Sequence, residues 1–599
     1  MTKKLLTFVF AVTTALGPTG GLLRPVPAMA QSADSQAAPP TSPPTSPVTP
    51  EEGPDTRTQK PLSLQEAITA AVANNLTVAI RRRDPEIAQF DVTIEDAVFD
   101  PLLGAQGVYG KSKSEPLEDT GSTGNKFWDG SVTLSQLLKQ GFSYSVGWET
   151  VKDRPIYRVA AQDLAFFHPV VPTYSSVLTF RVNQPLLRGF GFAYNKTGIE
   201  IAQVGVSTSQ EGFRASVMDI LLQTEQAYWD LNAAISLLEV QIESLKLAKD
   251  LLSLNQKKVE VGTLAPIQIT EAEASVADRE QGVILARAGI RNAEDNLRRI
   301  MNVAPDAPDW DMALKPTDTL PFEPQAIDLD EMEKSALDGR PEIQLAKNNV
   351  KVADLQHRFD QNGIKPQLDA FATFAPNGNN YEADQTQVIN HHAEFVPGDA
   401  NGDGTVDPGE IVKQRGVEDV ALRPLGFNDS ASEVFNNDIY DWTVGLRFSI
   451  PIGNRSAKAT AARSKVRYEQ SQMSLEDTER GILVEVRVAV RSVETFQKSV
   501  DAARANVLLQ RKKLEAEQKR YDNGMSTSFQ VLTFQNDLTA ALNQEIAAIT
   551  AYNKSLAALG RATATIAQKR GVTIAARAPR GTPRSHDSAL ASGSSLEVK

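Results

Sequence analysis

Two stretches of this chain are too long and too regular to belong to a compact core. Residues 197–261 and 454–522 contain no proline. In each, apolar side chains recur at alternating spacings of three and four. Tyr228, Leu231, Ile235, Leu238, Ile242 and Leu245 carry the pattern in the first stretch. Ile482, Val486, Ala489, Val493, Phe496, Val500, Ala503 and Val507 carry it in the second. This is the seam of a coiled coil. At 1.5 Å per residue, each stretch predicts a rod of roughly 95–100 Å. Each rod runs into a glycine, Gly262 or Gly524, and a second seam follows, as in Ile269, Ala272, Val276, Val283, Ala286, Ile290, Ala293, Leu297 and Ile300. Glycine reaches the left-handed conformation that ends a helix. Pro266 suits the first turn of the helix that returns, and Ser526 or Ser528 is placed to cap its counterpart. Each rod therefore predicts one arm of a helical hairpin.

The two hairpins are copies. Gln256-Lys257-Lys258-Val259 before Gly262 matches Gln518-Lys519-Arg520-Tyr521 before Gly524, an offset of 262 residues (518 − 256). At that offset Gln268 falls on Gln530 and Leu297 on Leu559. A proline-terminated strand precedes each rod. In one, Leu178, Phe180 and Val182 alternate with Thr179, Arg181 and Asn183 before Pro185. In the other, Val444, Leu446, Phe448 and Ile450 alternate with Thr443, Gly445, Arg447 and Ser449 before Pro451. Period-two alternation fits a strand with one face on lipid and one on water, and equally a half-buried strand of a soluble sandwich. Partner strands are expected near residues 101–111 and 367–374.

No stretch beyond the N-terminus holds the ~18 apolar residues of a spanning helix, so a membrane-embedded form requires a closed β-barrel. Two strands per copy give four per chain, too few to enclose a lumen. Three chains would give a 12-strand barrel. A further hairpin over residues 127–150, turning at Gly141, either joins that barrel or folds over its end. Lys3 and Lys4, the apolar run Leu5 to Leu16 and Ala28-Met29-Ala30 predict a secretory signal peptide over residues 1–30. Cysteine is absent, which removes disulfides and thiolate metal sites, and the net charge of −12 argues against a nucleic-acid partner.

Several short motifs in this order resemble the TolC-like outer-membrane efflux proteins. They are Leu62-Ser63-Leu64-Gln65-Glu66-Ala67-Ile68 with Asn74-Asn75, where Ser63 and Glu66 form a capping box, and Arg340-Pro341-Glu342-Ile343 opening the second copy. Gln184-Pro185-Leu186-Leu187-Arg188-Gly189 and Pro451-Ile452-Gly453-Asn454 form the corners, Val261-Gly262-Thr263 and Asn523-Gly524-Met525 the tips, and Leu556 to Gly560 the closing turn. The resemblance covers about residues 61–566. It implies a mainly α fold with a membrane β-barrel: a homotrimer with an α-helical coiled-coil barrel in the periplasm and a β-barrel in the outer membrane. Such a duct serves tripartite efflux or type I secretion, conducting solutes or proteins outward with a periplasmic adaptor and an inner-membrane transporter. Its adaptor contacts carry over to Gly262, Thr263, Gly524 and Ser526. The family's inward pair of aspartates, three apart, falls on Gln530 and Thr533, with Gln268 matching in the first copy. A ring of amides and hydroxyls still constricts, without the field of stacked carboxylates that traps cations. Asp537, seven residues beyond Gln530, is the nearest substitute acid or else a solvated one.

The resulting plan places a Pro/Ser/Thr-rich linker at 31–60, the first repeat at 61–302 and a connector at 303–328. The second repeat occupies 329–566 and a basic tail 567–599. The first repeat holds strands at about 101–184 and its hairpin at 197–302. The second holds strands at 367–375 and 440–450, an insertion at 376–438 and its hairpin at 454–566. Within the insertion, Asp399, Asn401, Asp403, Thr405, Asp407 and Glu410 occupy the ligand positions of a 12-residue calcium loop, with Gly404 at its sharp turn. Calcium is expected there, against a metal-free acidic turn. No catalytic motif is present, so no enzyme is expected. The alternative function is a surface or periplasmic helical scaffold, such as an adhesin stalk, with the calcium loop as its head.

Overall fold

A computed structural model of the chain describes residues 57–113, 121–158, 173–379, 395–397, 411–414, 426–574 and 597–598. The elements in chain order begin with β1 (Gln59–Leu62), α1 (Leu64–Asn74), α2 (Leu76–Arg81), α3 (Asp84–Asp96), β2 (Leu102–Lys113), β3 (Gly121–Leu137), β4 (Ser143–Arg158) and β5 (Thr173–Pro185). There follow the short α4 (Phe192–Asn195), the first rod α5 (Thr197–Glu260), its return α6 (Ile267–Met301) and β6 (Ala313–Pro316). The second half runs α7 (Leu329–Gly339), α8 (Pro341–Asn362), β7 (Gln367–Asn379), β8 (Phe395–Pro397), β9 (Ile411–Gln414), α9 (Phe427–Asn436) and β10 (Tyr440–Ser449). The second rod α10 (Arg455–Asp522), its return α11 (Ser528–Ala562), α12 (Ile566–Lys569), β11 (Val572–Thr573) and β12 (Glu597–Val598) complete it.

The rods contain 64 and 68 residues and each return helix 35. Each return helix therefore accompanies only the far half of its rod. The near half is accompanied instead by α3 and α8. Across the near half the helices pack in the lateral order α3, α5, α8, α10. The heptad seam is buried as its spacing requires, with Ile482, Val486, Val493, Val500 and Ala503 in one apolar cluster with Ala336 and Ile343. A second cluster gathers Ala67, Ile68, Ala71 and Val72 of α1 against Val217, Leu221, Tyr228 and Leu231 of α5. The expected Ser63–Glu66 capping box opens α1.

One antiparallel sheet crosses the end of this helical layer, in the order β10-β7-β5-β4-β3-β2. The four expected strands are there, joined by two more. The 127–150 hairpin enters the same sheet as β3 and β4, so among the described residues this sheet has six strands where four were expected. The reason is register. Val132 pairs with Trp148 and Leu134 with Val146, and these pair onward with Leu178 and Phe180 of β5. The hairpin's own alternation thus continues a face that already existed. Phe180 pairs with Phe374 of β7, and Phe374 with Trp442 of β10. One side of the sheet is apolar from edge to edge. The other carries Thr133, Ser145, Glu149, Arg181, Thr373, Asp369 and Arg447. Gly141, at φ 94°, makes the tight turn between β3 and β4, where an added Cβ would lie 2.6 Å from the Gly189 carbonyl.

Strand order and helix order correspond. The edge strand β10 leads into α10, β7 leaves α8, β5 leads to α5, and the opposite edge β2 leaves α3. The corners are tied together: Arg188 Nη2 donates to Gln367 Oε1 at 2.6 Å, the Gly189 N–H to Asn362 Oδ1 at 2.8 Å, and Asn454 Nδ2 to the Ile364 carbonyl at 2.8 Å.

Midway along the layer, the Arg340-Pro341-Glu342 motif staples four helices. Arg340 Nη1 reaches Glu485 of α10 at 2.9 Å and the Ala562 carbonyl of α11 at 3.2 Å. Glu342 accepts from Arg340 Nε at 3.0 Å and Arg561 Nη2 at 2.6 Å, and Arg561 Nε donates to Asp219 of α5 at 2.7 Å. Burial alone would raise the Glu342 carboxyl, but the hydrogen bonds from Arg340 and Arg561 outweigh it and hold its pKa down at about 2. A carboxyl that binds its proton more weakly folded than unfolded stabilises the fold above its unfolded pKa. That contribution is lost as pH falls through the folded value. Glu342→Gln should therefore destabilise the protein at pH 7 by about 1–2 kcal/mol, between the values for exposed and buried pairs. The gap to the parent protein should close between about pH 4.5 and pH 2. Thermal melts followed by circular dichroism check this, and a pH-independent gap would exclude ionic stapling.

Candidate functional site

The far ends of the two hairpins concentrate the residues singled out by sequence. Both tips close by the same backbone arrangement. The Thr263 N–H bonds to the Lys258 carbonyl at 2.9 Å and the Gly262 N–H to the Val259 carbonyl at 2.9 Å. At the second tip the Met525 N–H bonds to Arg520 and the Gly524 N–H to Tyr521, at 2.9 and 3.1 Å. This six-to-one and five-to-two pairing requires a left-handed residue, and Gly262 and Gly524 have φ of 75° and 74°. Gly262, Thr263 and Gly524 are exposed. Ser526 is half-buried instead, its Oγ within hydrogen-bond reach of Glu517 and 3.2 Å from Gln530 Oε1.

The sequence-matched trio Gln268, Gln530 and Thr533 divides. Gln530 and Thr533 lie on α11 away from its buried seam of Val531, Leu532, Gln535 and Leu538, with Gln530 exposed. Gln268 turns into the seam between hairpins: its side-chain oxygen accepts from the fully buried Ser528 hydroxyl, and its carbonyl accepts from Asn255 Nδ2 at 3.3 Å. Asp537 is ion-paired to Lys513 at 3.0 Å, so its charge is compensated within its own hairpin.

Sequence reasoning missed the side chains that join the two hairpins. Tyr521 of α10 donates its hydroxyl to Asn255 of α5. Lys258 Nζ donates to the Tyr521 carbonyl at 3.0 Å and lies 3.8 Å from the centre of its ring. Further from the tips, the buried Arg279 of α6 donates to Ser244 of α5 and, at 2.8 Å, to Asn536 of α11. Ser244 and Thr539 are 3.0 Å apart. Burial pushes the Arg279 pKa down. These polar residues interrupt the heptad seam, and that interruption was the available signal. Near the tips these hydrogen bonds stand beside an apolar cluster in which Leu251 of α5 packs with Val507 and Leu514 of α10 and Val531, Leu532 and Leu538 of α11.

The calcium-loop residues Asp399, Asn401, Asp403, Thr405, Asp407 and Glu410 lie outside the described residues. The strands flanking them are described: β8 and β9 pair antiparallel, with Phe395 opposite Gln414 and Pro397 opposite Ile411, so the loop's two ends meet. Among the described residues no cluster of His, Asp and Glu side chains is arranged to hold a metal ion. Among them, too, no helix is long and apolar enough to cross a membrane.

Solved structures share this architecture. A membrane protein from Pseudomonas aeruginosa is 16% identical, with 84% of this chain and 90% of that one covered and a TM-score of 0.55. The Campylobacter jejuni CmeC outer membrane channel is 14% identical, covering 84% and 85%, with a TM-score of 0.54. The outer membrane protein VceC from Vibrio cholerae is 14% identical, covering 84% and 95%, with a TM-score of 0.55. No curated protein matches by sequence. The family model for "Outer membrane efflux protein" matches residues 164–303 and 333–565, more than half of the chain and one block for each copy of the repeat. With rods, tips and sheet laid out in duplicate, the chain belongs to the outer membrane efflux protein family, whose members are channels of the outer membrane rather than enzymes.

Proposed function

We propose that the chain is one protomer of a homotrimeric duct, the outer-membrane part of a tripartite efflux or type I secretion system. It conducts solutes or proteins passively from periplasm to exterior. The supporting observation is that both lateral flanks of the protomer are unfinished, and in the same way. At one flank β2 has no partner on its outer edge among the described residues, and α3 beside it exposes Ile87, Phe90 and Ile94. At the other flank β10 leaves the second edge, and α10 exposes Val466, Met473, Val484 and Val488 at spacings that hold one helix face. Unpaired backbone groups have no acceptor in hydrocarbon, and an exposed apolar stripe of this length is ordinarily covered. A head-to-tail contact between unlike flanks closes both defects at once and generates a ring. Three chains of six strands give 18, wide enough for an aqueous channel. The apolar sheet face then meets lipid and the polar face lines the lumen.

In this reading Gly262, Thr263 and Gly524 present the tip backbone to a periplasmic adaptor that couples the duct to an inner-membrane transporter, with Ser526 bracing the turn behind them. Gln530 and Thr533 supply the constriction at the periplasmic mouth, and Gln268 helps hold the mouth closed. The seam near the tips is the gate: its hydrogen bonds hold the hairpins together, and splaying them opens the duct. Bound calcium at Asp399, Asn401, Asp403, Thr405, Asp407 and Glu410 would stiffen an extracellular loop whose base β8 and β9 already close.

Purified protein in detergent should have the mass of three chains and should give discrete conductance steps in planar bilayers. A monomeric, silent protein would sink the duct reading. Removing gate bonds by Tyr521→Phe with Gln268→Ala deletes two hydrogen bonds of about 1 kcal/mol each, so the open-to-closed ratio should rise roughly 30-fold. Unchanged conductance, with the trimer intact, would show that the latch lies elsewhere. Calorimetric titration of the full-length protein should detect calcium binding at roughly 0.1–1 mM, abolished by Glu410→Gln. No heat at several millimolar would remove the calcium site.

A further inference from the structure

Among its described residues, the insertion of the second copy contains a helix that the transport reading does not use. Helix α9 does not stand off the sheet as a loop element. It lies flat on the sheet's apolar face, near the end remote from the rods. Its Ser430 Oγ donates to the Gly378 carbonyl at 2.8 Å. A Cβ at Gly378 would come within 2.0 Å of the Ser430 carbonyl oxygen, so only glycine permits this approach. The wall beneath is made of small groups: Gly378 pairs with Ser176, and Ser176 with Thr150, all on the apolar face, with the two hydroxyls 3.1 Å apart. One step along that face toward the rods the apolar residues resume, and Phe435 stacks on Trp148 with ring centroids 5.7 Å apart.

The helix has two chemically distinct flanks. At about 100° per residue, Ser430 and Val434 face the wall and are buried, while Phe427, Ala431 and Phe435 fall on one side of that contact. Asp429, Glu433 and Asn436 fall on the other side. The apolar flank continues the face that carries Trp148, Phe180, Phe374 and Trp442. Yet Phe435 remains 74% exposed and Phe427 46%, and Tyr440 and Trp442 on the same sheet face are 50% and 66% exposed. Two phenylalanines on a solvent-facing helix would gain nothing there. Against the outer part of a lipid layer they bury apolar area, while the exposed Asn436 on the opposite flank stays in water.

We propose that α9 is an interfacial helix: it lies in the plane of the outer leaflet at the headgroup boundary, with Phe427 and Phe435 in the acyl region. The occupant of its apolar flank is lipid. The argument is continuity, since the flank extends the row of side chains that meets lipid on the strands and ends in the Tyr and Trp residues typical of the membrane boundary. The proposal rests on the duct reading for the orientation of the sheet. Its consequence is that the insertion is fastened to the membrane beside the barrel mouth rather than left free above it.

The chain has no cysteine, so single labels are unambiguous. Full-length Phe435→Cys, Ser432→Cys and Leu446→Cys proteins, each carrying an environment-sensitive fluorophore, are reconstituted in phosphatidylcholine–phosphatidylglycerol vesicles. The vesicles contain lipids with a spin label either near the headgroup or near the chain end. The Leu446 label reports on the sheet wall and should be quenched mainly by the deep spin label. The Phe435 label should be quenched at least about twofold more by the shallow label than by the deep one. The Ser432 label should respond to aqueous iodide and to neither lipid. If Leu446 is quenched by lipid and Phe435 is not, the helix proposal fails and the wall reading survives. If Leu446 is also silent, the membrane orientation itself is wrong.

Discussion

Hydrocarbon contains no partner for a peptide N–H or C=O, and the whole molecule is arranged around that constraint. A sheet with two free edges leaves two rows of such groups, and each costs several kcal/mol in lipid. The solution is built into the lateral order of the elements. Because each edge strand is continuous with an edge helix, β2 with α3 and β10 with α10, whatever pairs the strand edges also covers the helix stripes. Barrel closure and helical closure are one event in the proposed ring. A protomer is accordingly stable in its interior and incomplete at its flanks.

At mid-length the seams are apolar, and the Arg340–Glu342–Arg561 staple fixes how four helices meet. Nearer the sheet, Asn348 donates to Ser207 and Thr208 across the helices. Ionic stapling of this kind contributes less to stability than to register, because each charge has to be desolvated before it is paired. Towards the tips the seam takes up Asn255, Gln268, Arg279, Tyr521 and Ser528. Those hydrogen bonds exchange readily with water when helices part, and they flank the apolar cluster of Leu251 with Val507, Leu514, Val531 and Leu532.

Six strands rest on four helices. The added hairpin β3–β4 has no helix of its own and is carried by its neighbours in the sheet and by the Gly141 turn against the β5 corner. It widens the sheet without widening the helical layer, which separates the dimensions of the barrel from those of the tips. Among the described residues the second copy adds no hairpin to this sheet. It places α9 on the apolar face instead, so the two copies of one unit have diverged at the end where loops are free to grow.

Much of this was readable from residue order alone. Heptad spacing without proline fixed the rods, since nothing but a long helix buries such a seam. Gly262 and Gly524 marked the turns because glycine adopts the left-handed backbone without steric cost. Alternation before Pro185 and Pro451 marked the strands, because a period of two has only two faces. The tertiary structure alone decided that the 127–150 hairpin joins the sheet, since register depends on partners hundreds of residues away. It alone turned Gln268 into the seam while leaving Gln530 exposed, and made the Arg340-Pro341-Glu342 run a four-helix staple. A local pattern specifies what an element is; which surface it meets is decided by elements distant in the chain.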